Sequence, residues 1–265
     1  MLSNTKIQNM RKTSTIKSLC LAVAFVFAGF AANAQLTHLE QSVFLNFNAP
    51  MAQFNDGIDG KVLAADNSQI PLTSYNVGKG ASMGLGLGYR ISYLFDVGFG
   101  VVSPYIHIDF MWNRTKNEYR DKFIDADGTA PAYFNLPIYV GVNYRYQLND
   151  IFTPFGEFGF GPDFLFISKE SGTMYFKDDK GNQTKDPMNF TFRYKSSTNL
   201  AWQIGAGTYL GQHVSASLHY SGYGKHKIIN KSDNESAYLA SDKQNDNTTQ
   251  SRNIGLLSLR IGFHF

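Results

Sequence analysis

Six charged residues, Arg90, Asp109, Arg145, Glu157, Asp163 and Arg260, occupy the polar slots of segments whose alternate residues are apolar. Charges spaced this way share one face of a sheet. If the sheet closes, they line its bore, where they act as an ion-selective ring or neutralise one another as a polar plug. A turn at Asn149-Asp150 sets Arg145 and Glu157 nearly opposite on adjacent strands, so an ion pair is expected there, near one end of the bore. Arg90 and Arg260 are expected at similar depth. An unpaired buried charge costs several kcal/mol, which favours the plug over the ring.

Other residues carry weaker chemical signals. His107, Asp109 and His219 share the polar face, and Ser217 lies two residues from His219. A Ser–His pair suits hydrolysis, but no paired catalytic carboxylate motif accompanies it, and no catalysis is expected. Asp125-Ala126-Asp127-Gly128 has acidic spacing but lacks the later Glu of a calcium loop, so a solvated turn is expected. The only cysteine, Cys20, lies near the start of an apolar run rather than at its end, which excludes lipidation. No disulfide, metal site or cofactor is expected.

The elements that carry these residues repeat with a period of two. The last, Gly255 to Phe265, alternates Leu257, Leu259, Ile261 and Phe263 with Ser258, Arg260, Gly262 and His264, and ends on an aromatic residue. In the first segment, Val43, Leu45 and Phe47 form the apolar side, and Phe44 breaks the polar one. Met83 to Tyr93 alternates with Gly84, Gly86, Gly88, Arg90 and Ser92. Ile106, Ile108, Phe110 and Trp112 alternate with His107, Asp109 and Met111. Four more such segments run through Leu136–Tyr146, Glu157–Phe166, Leu200–Leu210 and Val214–Ser221. Long polar joins (about 49–80, 114–133, 168–198 and 224–252) alternate with short turns at Asp96-Val97-Gly98, Asn149-Asp150 and Gly211-Gln212. That rhythm predicts an all-β protein: an eight-stranded antiparallel up-and-down transmembrane β-barrel.

A soluble sandwich or lipocalin-like barrel also alternates. Its wet face would then be Gly-Gly-Gly-Arg or Gly-Gln-Gly-Gly, whereas glycine beside a few long polar groups suits a narrow lumen. Pro137 and Pro162 are awkward in strands and are expected at a bulge or a strand end.

Residues 1–34 have the form of an export signal. Arg11, Lys12 and Lys17 precede an apolar run from Leu19 to Ala32, and Ala32-Asn33-Ala34 fits a cleavage site before Gln35. The run is shorter than the roughly 20 residues of a spanning helix. The expected domains are a cleaved signal, 1–34, and a barrel, 35–265. Removing the signal takes away four basic groups and no acid, so the net charge falls from +3 to −1. No basic footprint for nucleic acid remains.

Short matches place the chain near a known group. These are the Ala32-Asn33-Ala34-Gln35 junction, Leu136-Pro137-Ile138-Tyr139-Val140-Gly141, Pro154-Phe155-Gly156-Glu157-Phe158-Gly159-Phe160-Gly161, and the terminal Phe265. The chain resembles the small outer-membrane β-barrel family (outer membrane protein β-barrel domain, porin-like/PorT-like). The resemblance implies the outer membrane of a Gram-negative cell, with long loops extracellular and termini periplasmic. It makes Phe265 an assembly signal and implies no activity. The expected partners are the lipid bilayer, lipopolysaccharide, the outer-membrane assembly machinery and an extracellular ligand reached by the loops. The expected role is structural or surface interaction. A narrow channel or carrier for a small or hydrophobic solute is the alternative, and a lipid-modifying enzyme the third reading.

Overall fold

The computed structural model describes residues 38–57, 61–63, 69–71, 77–118, 128–149, 151–177, 182–229 and 249–265. The signal segment, the Asp125 motif and most of the last long loop lie outside them. Eight long strands form the wall. They are β1 (Leu39–Met51), β2 (Ala81–Tyr93), β3 (Val101–Thr115), β4 (Ala132–Arg145), β5 (Phe152–Ile167), β6 (Ser197–Leu210), β7 (Val214–Ile229) and β8 (Thr249–His264). Each pairs antiparallel with its sequence neighbours, and β8 pairs with β1, so the sheet closes. Closure leaves the barrel wall without an edge, as a lipid environment requires. No helix among the described residues is long and apolar enough to cross a membrane.

Glycine and side-chain alternation decide which way each face looks. Met83, Leu85 and Leu87 on β2, Ile106 and Phe110 on β3, and Phe158 and Phe160 on β5 are all exposed on the outside. Asn46, His107, Asp109, Asn143, Glu157, Gln203 and Arg260 are buried inside. Phe44 also points inward and is buried. The polar face it interrupts in the sequence is therefore the lumen, and the ring has a charge-stacking role described below.

The three tight turns and both described termini share one end. Phe265 N donates to Gln41 O and Gln41 N to Phe265 O, tying the last residue to β1. The long joins share the other end. There the strands outrun the sequence expectation: β7 reaches Ile229 and β8 begins at Thr249. The join after β5 contains a hairpin, Glu170–Lys177 with Gln183–Phe192.

The prolines depart from expectation. Pro137 and Pro162 lie within β4 and β5, neither at a bulge nor at an end. The β3–β4 ladder passes from Ile108↔Ile138 to Met111↔Asn135 with the same register on both sides of the gap. On the other side of β4 the ladder runs from Pro137↔Asp163 to Val140↔Phe160 in the same way. The missing proline N–H is absorbed as a local gap, because the flanking pairs hold the register.

A bulge does occur, on β7 between Gly222 and Gly224. Gly224 has φ +69°, a left-handed conformation open to glycine. Before the bulge the inward residues are odd-numbered (Ser215, Ser217, His219, Ser221); beyond it they are His226 and Ile228. Lys225 and Lys227 are thereby turned outward.

Candidate functional site

The bore is filled in layers from the turn end upward. The first is built on Glu40, two residues before Ser42 on the inward face of β1. Arg145 donates to Glu40 through Nη1 and Nη2 at 2.7 and 2.6 Å, and its guanidinium lies 4.2 Å from the Tyr209 ring centre. His264 sits between two hydroxyls, with Nδ1 2.8 Å from Ser42 Oγ and Nε2 2.8 Å from Ser215 Oγ. Outside this layer, a cavity of about 760 Å³ opens among the turns. It is bordered by Arg145, Tyr209, Thr153, Gln147, Phe99 and Gln212.

The second layer crosses the whole bore. Arg90 donates to Glu157 through both terminal nitrogens at 2.7 and 2.6 Å. Its guanidinium carbon lies 4.8 Å from the Phe44 ring centre and 4.0 Å from that of Tyr105. Arg260 donates to Asn46 at 2.8 Å and to Asp109 at 2.9 Å, and its Nη1 lies 3.5 Å from Glu157. His107 Nε2 lies 2.8 Å from Asp109 Oδ1, and Asn46 donates to the same oxygen at 2.9 Å. Such bidentate, charge-assisted bonds are the strong kind, and Phe44 and Tyr105 shield the Arg90 guanidinium from water.

Higher up, Asn135 donates to Asp163 at 2.8 Å, and His226 Nε2 lies 3.0 Å from the same carboxylate. Above these, Phe54, Val77, Tyr133, Ile228 and Ile254 form a buried apolar cap. Phe54 meets Tyr133 edge-on at 5.1 Å.

The expected Arg145–Glu157 ion pair is not formed. The register sets Asn143, not Arg145, opposite Glu157; Arg145 faces Phe155. Asn143 bridges the two, donating to Glu157 at 3.1 Å and accepting from Arg145 Nε at 3.2 Å. Arg145 instead reaches across the bore to Glu40, and Arg90 takes Glu157. Arg90 and Arg260, expected at similar depth, do converge on Glu157. Asp109 and Asp163 belong to different layers, so the six residues form no single ring.

Glu40 and His226 escape a reading that starts β1 at Ser42 and keeps one parity along β7; His264 is on the expected polar face of β8 but was not among the expected site residues. Glu40 was visible as the next even-numbered residue below Ser42, Phe44 and Asn46. The glycines Gly222 and Gly224 were the only hint of the parity change.

Among the described residues, Ser–His–carboxylate arrangements occur at two levels of the bore. Ser217 Oγ lies 2.9 Å from His219 Nε2, whose Nδ1 is 3.5 Å from Glu157. Ser215, His264 and Glu40 make the second, with His264 Nδ1 3.5 Å from Glu40. In both the carboxylate is held by an arginine, and both serines are buried. The spacing Gly80-Ala81-Ser82-Met83-Gly84 also matches a nucleophile elbow, which requires a strand–turn–helix. Ser82 is on strand β2, and its Oγ donates to Arg114 O at 2.9 Å. Among the described residues no group of three or more His, Cys, Asp or Glu is placed to hold a metal.

A closed eight-stranded sheet, apolar outside and charged within, defines the class: a small antiparallel β-barrel of the membrane-spanning type. No family model matches the chain, and no curated protein is similar to it. Among solved structures it is similar to the outer membrane enzyme PagL, at 14% identity and a TM-score of 0.37, over 84% of this chain and 98% of that one. It is similar to Ail, the attachment invasion locus protein of Yersinia pestis, at 13% identity and 0.39, over 86% and 100%. OprG of Pseudomonas aeruginosa stands at 12% and 0.37, over 86% and 96%.

Proposed function

We propose that the protein is a closed, non-conducting barrel of the outer membrane with a structural or surface-interaction role carried by its loop end. One observation carries this reading: ion pairs and rings fill the bore from Glu40–Arg145 to the Phe54–Tyr133 cap. Arg90, Arg145, Glu157, Arg260, Asp109 and Asp163 act as plug residues, not as a selectivity ring. Planar-bilayer recording tests this, and the expected result is no steady current. A steady ion flux abolished by Arg145→Ala would replace the plug with a channel or carrier.

The long loops face the exterior, where they meet lipopolysaccharide and any extracellular ligand; the termini lie in the periplasm. Residues 1–34 are removed on export, so N-terminal sequencing of the membrane-resident protein should begin at Gln35. Phe265 is the signal read by the assembly machinery, and its deletion should leave most of the chain unassembled, seen as loss of the heat-modifiable folded band.

The 2.9 Å Ser217–His219 contact favours a second reading, a lipid hydrolase. Folded protein is expected to show no lipid turnover. Turnover that disappears in Ser217→Ala would establish the hydrolase instead.

A further inference from the structure

The outer wall at the loop end carries exposed cations, and the turn end carries none among the described residues. Lys225 and Lys227 project from β7 only because the Gly222–Gly224 bulge reverses its parity. Without it, the lysines would enter the bore and His226 and Ile228 would leave it. The bulge therefore serves the inside and the outside at once.

The lysines' surroundings suit an anion. Their β8 partners are Asn253 and Ser251, neutral hydrogen-bonding residues. On the other side, Lys227 N donates to Ser197 Oγ, and Lys195 N donates to Ile229 O, which brings a third exposed cation to the same patch.

Their height is set by the aromatic residues below. Trp202 pairs with Gly222, and its ring lies 5.5 Å from that of Tyr220. Aromatic rings mark the membrane–water boundary of such barrels. Gly222 pairs with Gly255 and Lys225 with Asn253, so the bulged stretch rises two rungs and the Lys225 Cα stands about 5 Å above that boundary on a strand tilted by roughly 40°. Long cationic side chains at this height reach lipid phosphates. The β3 wall repeats the arrangement, with the Arg114 guanidinium 4.6 Å from the Trp112 ring centre, two residues beyond it.

We propose that Lys195, Lys225 and Lys227 form a site for the phosphates of an anionic glycolipid of the lipopolysaccharide type. Its sugar rests on the Trp202–Tyr220 pair and its acyl chains lie along Ile204 and Leu218, the exposed residues next below that pair. The proposal rests on the outer-membrane reading above and adds the residues and the headgroup chemistry.

Native mass spectrometry of the full chain in mild detergent tests it, with bisphosphorylated lipid A as the probe. Binding in detergent does not depend on which way the loops face in the cell, so failure here is separable from failure of the topology or of the plug. Lipid A is expected to bind, its dephosphorylated form to bind at least about tenfold more weakly, and K225E/K227E to lose at least about tenfold. Gln212→Glu at the turn end is expected to change nothing. K225Q/K227Q, with folding checked by heat-modifiable mobility, covers the case in which charge reversal prevents folding. Equal binding by wild type and a folded lysine variant overturns the site. Phosphatidylglycerol binding as tightly as lipid A overturns the glycolipid assignment.

Discussion

Arg90 is enclosed on every side: Glu157 takes both terminal nitrogens, His107 accepts from Nε at 3.1 Å, and Phe44 and Tyr105 cover its faces. A guanidinium so placed has no water to fall back on. Removing its carboxylate by Glu157→Ala leaves Arg90 without its anion and takes a second carboxylate from Arg260. Loss of one partner of a buried pair costs about 3–5 kcal/mol, and urea titration in detergent should show a fall of that size. Arg145→Ala is expected to cost clearly less, because Arg145 borders the open turn-end cavity and water there can solvate Glu40. Which residues face the bore was legible in the sequence, since alternation needs no knowledge of partners. Which charges meet was not legible. Arg145 and Glu40 are 105 residues apart, and only closure of β8 on β1 brings them together.

At the scale of the strand, a β5 glycine is judged by the side it faces. A Cβ on Gly161, which points inward, would run into the Ile138 carbonyl of β4; on Gly156, which points outward, the nearest atom is 4.0 Å away. Gly161→Ala should therefore destabilise by about 1–3 kcal/mol through overpacking, and Gly156→Ala should be near neutral. The temperature at which the folded band converts to the unfolded one on a gel checks both. Gly224→Val should also lower that temperature, because its φ is positive and a Cβ would meet the Asn199 side chain. Strand number and the short turns were legible because turn residues and polarity change together. The β7 bulge was not: beyond Gly222 the run Lys225-His226-Lys227-Ile228-Ile229 has no polar–apolar alternation from which a face could be read. The prolines were misplaced for a related reason, since whether a gap in a ladder is tolerated depends on the pairs that flank it.

The whole molecule is two-sided. Its turn end holds a polar cavity over the Arg145–Glu40 pair, and its loop end an apolar cap ringed outside by cations. This arrangement suits a barrel that stands in a bilayer and works from its surface. The central claim is that the apolar wall meets acyl chains. The chain has two tryptophans, Trp112 and Trp202, both on that wall near the loop end. The direct test is fluorescence quenching of single-tryptophan forms, Trp112→Phe and Trp202→Phe, in bilayers of lipids brominated high on the acyl chain. Strong quenching by the brominated lipid, with little by aqueous iodide, is expected from both forms. Tryptophans quenched by iodide and untouched by bromine would contradict the account.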